Sequence, residues 1–143
     1  MFHGEFRNAM DAKGRVSVPS PFRRVLAERY SETRLVMARW PYDPCIAVWP
    51  YEEWLRFQER VERAPASEAK RAFKRFLFSS AVEVEPDRQG RILVPMPQRS
   101  YAGLEKEVQL VGAGEMFQIW NAERWAEQLE TDLALAKQFA LDV

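Results

Sequence analysis

From Glu5 the chain switches between two hydrophobic periods, and the order of the switches repeats. Glu5–Ala9 reads as a short strand, and Arg15–Val18 alternates polar and apolar residues, which puts Val16 and Val18 on one face of a strand and Arg15 and Ser17 on the other. Pro19 stops that strand, because proline cannot donate to a ladder. The period then lengthens. Phe22, Val25 and Leu26 share a helical face, with Ser20 predicted as N-cap and Pro21 in the first turn. Two apolar runs, Arg34–Trp40 and Cys45–Trp49, read as strands before a further helix. The series then returns: Ala81–Val84, Arg91–Val94 with Ile92 and Val94 facing inward, Pro95, Val108–Gly112 and Met116–Trp120. Met96 replaces Ser20, which predicts a weaker cap. In the last helix Ala122, Trp125, Ala126, Leu129, Leu133 and Ala136 fall on one face. Between the two series, Ala64-Pro65-Ala66-Ser67 breaks the chain. The helix that follows, Glu68–Ser79, is expected to bury Ala69, Ala72, Phe73, Phe76 and Leu77, with Lys70, Arg71, Lys74 and Arg75 on its other side.

The residues themselves also repeat. DAKGRVSVP (Asp11–Pro19) returns as DRQGRILVP (Asp87–Pro95), Pro21 and Arg23 match Pro97 and Arg99, and WPYEEW (Trp49–Trp54) matches WNAERW (Trp120–Trp125). The copies differ in one connection, which includes Pro41–Pro44 in the first and is the shorter Gly112–Glu115 in the second. Two copies are too few for a solenoid. They predict an α+β fold in which two half-domains close on each other about a pseudo-two-fold axis. The division expected is residues 5–52 and 81–124 for the repeats, 53–80 for linking helices and 125–143 for a C-terminal helix.

Composition narrows the chemistry. The 143 residues carry 21 Lys and Arg against 21 Asp and Glu, so net charge gives no argument for a polyanion. Distribution does: basic residues outnumber acidic ones in residues 1–30, and the balance reverses in residues 121–143. The single cysteine, Cys45, leaves no intramolecular disulfide and suits a reducing cytoplasm. The single histidine, His3, removes the usual zinc sets and nucleophile–histidine pairs, and reads as a solvated residue. No phosphate-binding loop or nucleophile elbow is present, and Gly112-Ala113-Gly114 is a hairpin turn rather than a dinucleotide fingerprint. The expectation is a protein without cofactor, metal, small-molecule substrate or enzymatic activity. No run approaches 18 apolar residues and no apolar leader is visible, so neither membrane spanning nor secretion is expected.

Functional chemistry concentrates in the two D-x-x-G-R turns. Asp11 and Asp87 supply oxygens for backbone N–H groups, and Gly14 and Gly90 supply a left-handed position. Strand alternation then places Arg15 and Arg91 on the exposed side, with Lys13 and Arg88 inside the turns. Folded about a two-fold, the copies would present both arginines on one face, suited to phosphates and to guanine edges in a major groove. An arginine four residues after an aspartate equally suits a local ion pair bracing the turn. The two roles are compatible. The Lys70–Arg75 stripe reads as a solvated face, and Trp54 and Trp125 as core.

The start MFHGEFRNAMDAKGRVSVPSPFRR, the second DRQGRILVP and the shared W-x-x-E-x-W resemble the MraZ family of bacterial transcriptional regulators across essentially the whole chain. The resemblance implies a pseudo-two-fold β-barrel of two AbrB-like swapped-hairpin half-domains with flanking helices. It implies a cytoplasmic, nucleoid-associated protein that binds double-stranded DNA at repeated promoter boxes upstream of a cell-division and cell-wall gene cluster. It also implies a ring-shaped homo-oligomer. DNA contact in the family is attributed to D-x-x-x-R, here Asp11 to Arg15 and Asp87 to Arg91. Two departures, Gln89 where the first copy has Lys13 and Leu93 where it has Ser17, predict Arg15 and Lys13 as the main readers and Arg91 and Arg88 as lesser ones. AbrB-like folds also form the DNA-binding half of antitoxins. The acidic last helix, with Glu127, Glu130 and Asp132, keeps a protein-interaction module as the alternative.

Overall fold

The computed structural model describes residues 1–142. Eight strands and five helices alternate: β1 (Glu5–Ala9), β2 (Arg15–Ser17), α1 (Ser20–Arg29), β3 (Leu35–Arg39), β4 (Ile46–Pro50), α2 (Tyr51–Arg63), α3 (Glu68–Phe78), β5 (Val82–Val84), β6 (Arg91–Leu93), α4 (Met96–Ala102), β7 (Glu107–Gly112), β8 (Phe117–Asn121) and α5 (Ala122–Ala136). The fold class is α+β, with antiparallel pairing throughout the assigned strands.

Strand order shows how the repeat is used. One sheet runs β1-β7-β8-β4-β3-β5, and β2 pairs with β6 in a separate ribbon. Exchanging the copies reverses the first order and leaves the second unchanged. The opening strand of each copy is therefore lent to the other: β1 pairs with β7, β5 with β3, and β2 with β6. Neither copy closes a sheet alone.

Alternation along the strands divides the core. Leu35, Met37, Ile46, Val48, Val108, Leu110, Phe117 and Ile119 face the ribbon residues Val16, Val18, Ile92 and Val94 and the helix residues Phe22 and Leu26 in one cluster. Val36, Ala38, Ala47 and Trp49 point the other way, against Trp54 of α2 and Leu77 of α3. Val111 and Trp120 meet Cys45 and, from α5, Trp125. The sheet is thus covered on both faces, which is why its strands read as near-continuous apolar runs. Trp54 and Trp125 are core-packing residues, as expected.

The backbone pairing draws no closed barrel, because β1 and β5 are the two ends of the large sheet. Several expectations about the helices change. Ser20 is not the N-cap of α1. Pro19 holds that position without a side-chain bond, and its carbonyl accepts the N–H groups of Phe22 and Arg23 at 2.9 and 3.0 Å. Pro95 caps α4 in the same way, so Met96 weakens nothing. In α3 only Leu77 is fully buried. Phe73 and Phe76 are half-buried, against Phe57 and Tyr101, while Ala69 and Ala72 are exposed. The stripe of α5 is bare beyond Trp125: Leu129 is 47% and Leu133 63% exposed.

Candidate nucleic-acid interface

The two turns are built alike from local chemistry. In the first, the Asp11 carbonyl accepts the Gly14 N–H at 3.0 Å, and Asp11 Oδ1 accepts the backbone N–H groups of Lys13 and Arg15 at 3.0 and 2.9 Å. In the second, the Asp87 carbonyl accepts from Gly90, and Asp87 Oδ1 accepts from Gln89 and Arg91, all three at 2.9 Å. Gly14 and Gly90 hold φ values of +91° and +77°, conformations that side chains disfavour. The other carboxylate oxygen turns to the arginine. Arg15 Nε donates to Asp11 Oδ2 at 2.6 Å, and Arg91 Nε to Asp87 Oδ2 at 3.0 Å. The brace weighed in the sequence therefore exists in both copies.

These bonds set the charge state. The Arg15 backbone N–H, with the Arg15 guanidinium behind it, holds the Asp11 carboxyl below the usual carboxylate range. The Arg91 backbone N–H does the same for Asp87. Both groups are ionised at neutral pH, and the brace weakens only as pH falls through their depressed values.

The ribbon then joins the turns. Arg15 lies opposite Leu93, Val16 opposite Ile92, and Ser17 opposite Arg91. Val16 and Ile92 point into the core, so Arg15, Ser17, Arg91 and Leu93 form the outer face, where Leu93 is 51% exposed. Arg15 and Arg91 thus share one face at diagonal positions, as the two-fold argument requires. Arg91 Nη1 also comes within 4.0 Å of Asp11 Oδ2, so Asp11 faces the arginines of both copies. Lys13 and Arg88 are exposed in their turns, on either side of the ribbon's ends.

One feature of the site lies beyond these turns. Each glycine carbonyl accepts a bond from the other copy: Val94 N–H donates to Gly14 O at 2.9 Å, and Val18 N–H to Gly90 O at 2.8 Å. Over each glycine lies a guanidinium from the other copy's helix. A Cβ built on Gly14 would sit 2.6 Å from Arg99 Cζ, and one on Gly90 2.9 Å from Arg23 Nη1. The sequence held the signal, because Arg23 and Arg99 match in the repeat. The contact itself depends on the exchange of hairpins.

The remaining basic stripe faces elsewhere. Lys70 Nζ caps the end of α2 by donating to the carbonyls of Glu62 and Ala64, and Lys74 pairs with Glu62 at 2.8 Å. Cys45 is fully buried, and burial pushes its thiol well above the ordinary range. His3 is exposed, and Gly112–Gly114 turns the β7–β8 hairpin. Among the described residues no cluster of His, Cys, Asp and Glu is arranged to hold a metal, and no helix is long and apolar enough to cross a membrane.

A family model described as "MraZ protein, putative antitoxin-like" matches residues 1–76 and again residues 77–142. The chain belongs to the MraZ family. It is 44% identical to "Transcriptional regulator MraZ" of Heliobacterium modesticaldum over 131 residues, covering 91% of this chain and 87% of that one. It is also 44% identical to the protein of the same name from Syntrophotalea carbinolica, over 90% of this chain and 87% of the relative. The corresponding protein of Lactiplantibacillus plantarum is 42% identical over 94% of this chain and 91% of its own length. MraZ proteins are regulators of transcription, and this chain is a member of that class and not an enzyme.

Proposed function

We propose that the chain is a sequence-specific DNA-binding regulator that grips repeated promoter boxes through the outer face of the β2–β6 ribbon. The boxes lie upstream of a cell-division and cell-wall gene cluster, and the protein works in the cytoplasm at the nucleoid. One observation carries the reading: Arg15 and Arg91, one from each copy, stand on the same solvent face of a two-stranded ribbon, each fixed at Nε by an aspartate. A two-stranded ribbon fits the major groove, and arginine grips guanine O6 and N7 with two N–H groups. Fixing Nε leaves the terminal nitrogens of Arg15 without a hydrogen-bond partner among the described residues. Asp11 and Asp87 thus orient the arginines, Gly14 and Gly90 shape the turns, and Lys13 reads beside Arg15, with Arg88 in a lesser role beside Arg91. The first copy dominates, because Leu93 and Gln89 stand where it has Ser17 and Lys13.

In this reading the sheet and ribbon together are the pseudo-two-fold β-barrel of two AbrB-like swapped-hairpin half-domains, residues 5–52 and 81–124. Residues 53–80 link them, and 125–143 form the C-terminal helix. The protein acts as a ring-shaped homo-oligomer, so that successive boxes are bound by successive subunits and the second contact becomes intramolecular. The exposed Leu129 and Leu133 of α5 support self-association.

The test is anisotropy titration of the DNA upstream of the protein's own gene against a scrambled duplex. Arg15→Ala is expected to weaken promoter binding at least about tenfold, the scale of one lost bidentate base contact, with a smaller loss for Arg91→Ala. Unchanged promoter affinity in Arg15→Ala would falsify the assignment.

The bare apolar face of α5, flanked by Glu127, Glu130 and Asp132, also favours a second reading, an antitoxin-type module binding a protein partner. A stoichiometric partner in pull-downs, together with no retention of duplex DNA, decides for it.

A further inference from the structure

We infer that Arg23 and Arg99 are phosphate-contacting residues of the same interface, each delivered to the turn of the opposite copy. The inference rests on the DNA reading above and adds a role that the D-x-x-x-R pattern does not contain.

The geometry assigns them. Arg99 leaves α4 of the second copy and lays its guanidinium against Gly14 of the first; Arg23 leaves α1 of the first copy and lays its own against Gly90 of the second. A Cβ at either glycine would meet the guanidinium at 3.0 Å or less. The absence of a side chain therefore serves two purposes, a positive φ and a flat seat for a planar cation. Arg99 is held further by its Nε, which donates to the carbonyl of Val94 at 2.8 Å. That bond takes one donor and leaves the terminal amino groups to point charge elsewhere. Arg23 is exposed, and its side chain makes no hydrogen bond or ion pair among the described residues. Glu105 lies with Asp11 and Lys106 along the same shallow depression as Arg99, so the local field there is mixed. Arg23 is the more exposed of the two and therefore the stronger.

The chemistry differs from that of the ribbon arginines. Arg15 and Arg91 are fixed by carboxylates on the exposed face of a strand, where bases would be met. Arg23 and Arg99 flank that face at the turn glycines and are seated on backbone rather than on carboxylate. Seated so, neither arginine is in an ion pair among the described residues, which suits a phosphate oxygen. Phosphate contacts fix register and carry no sequence information. The four arginines would then divide the work: two on bases, two on the strands that flank them.

The experiment measures affinity against salt for the promoter duplex and for a scrambled duplex, using the full chain and its Arg23→Gln and Arg99→Gln variants. Each substitution is expected to lower the slope of log K against log salt by about 1 and to weaken both duplexes by the same factor. Arg23→Lys, which keeps the charge, is expected to keep the slope. Unchanged slopes in variants that unfold at the wild-type temperature overturn the inference, as does a loss confined to the promoter duplex. Should a Gln variant fail to fold, the wild-type protein decides. Scrambled duplex is expected to slow phenylglyoxal modification of Arg23 and Arg99, followed by peptide mass, and equal rates with and without DNA overturn the inference. Wild-type protein that retains neither duplex overturns the DNA reading itself.

Discussion

Gly14 and Gly114 have similar backbone angles, φ +91° and +83°, but different surroundings: Arg99 lies against the first, and nothing lies within 4 Å of a Cβ on the second. Gly14→Ala and Gly114→Ala should therefore cost a similar amount of stability, about 1–3 kcal/mol in urea unfolding, from the strained φ alone. The clash at Gly14 adds little, because the end of a long side chain can move. What it moves is the guanidinium. Gly14→Ala is thus expected to reduce the salt slope of DNA binding, while Gly114→Ala leaves it unchanged. The aspartates act at the same scale. Each D-x-x-G turn draws its bonds from residues within four positions, so Asp11, Gly14 and Arg15 were legible without any fold. Arg23 and Arg99 were legible only as matched positions, because the backbone they seat against lies in the other copy.

At the scale of elements, the exchange of hairpins makes each helix answer to both copies. Phe22 of α1 meets the rings of Phe2 and Phe6 edge-on at 5.3 Å and that of Phe117, in β8 of the second copy, at 5.0 Å. Phe22→Ala is expected to cost about 3–5 kcal/mol, the range for deleting a fully buried phenyl ring. Because the cavity opens between copies, thermal unfolding should remain a single transition at lower temperature rather than splitting into two. Helix starts were harder to place than helix faces. Ser20 has the chemistry of a cap, but Pro19 already turns the chain, and its carbonyl takes the first N–H groups. In α3 periodicity gives the apolar face, and tertiary packing decides how far that face is covered: Leu77 is buried, while Ala69 and Ala72 are exposed.

The whole molecule is symmetric in its sheet and asymmetric in its cover. On the first copy's side, α2 and α3 together bury Trp49, Trp54 and Leu77. On the second copy's side α5 has no equivalent of α3 among the described residues, and its apolar residues emerge: Leu129, Leu133 and Leu135, with Phe139 75% exposed beyond the helix. Leu129 and Leu133, four residues apart, share one exposed face of the helix. Leu129→Ser with Leu133→Ser is expected to lower the oligomer mass seen by light scattering. Unfolding stability of the dissociated chain should change by no more than about 0.5 kcal/mol, because neither side chain is buried within the subunit. An unchanged mass places the self-association surface elsewhere.

The sequence by itself determined the strands, the turns, the outward placement of Arg15 and Arg91, and the pairing of two similar halves. Each of these follows from local sterics, hydrogen bonding and a period of alternation. The family resemblance implied exchanged hairpins, but tertiary structure alone decided which strands pair and that β4 and β8 join the halves at the centre of one sheet. It also decided that Arg99 and Arg23 seat on the glycines of the opposite turns. Those outcomes depend on which of two near-identical partners a strand finds. A repeated pattern cannot distinguish its own copy from the other; the packing of the shared core does.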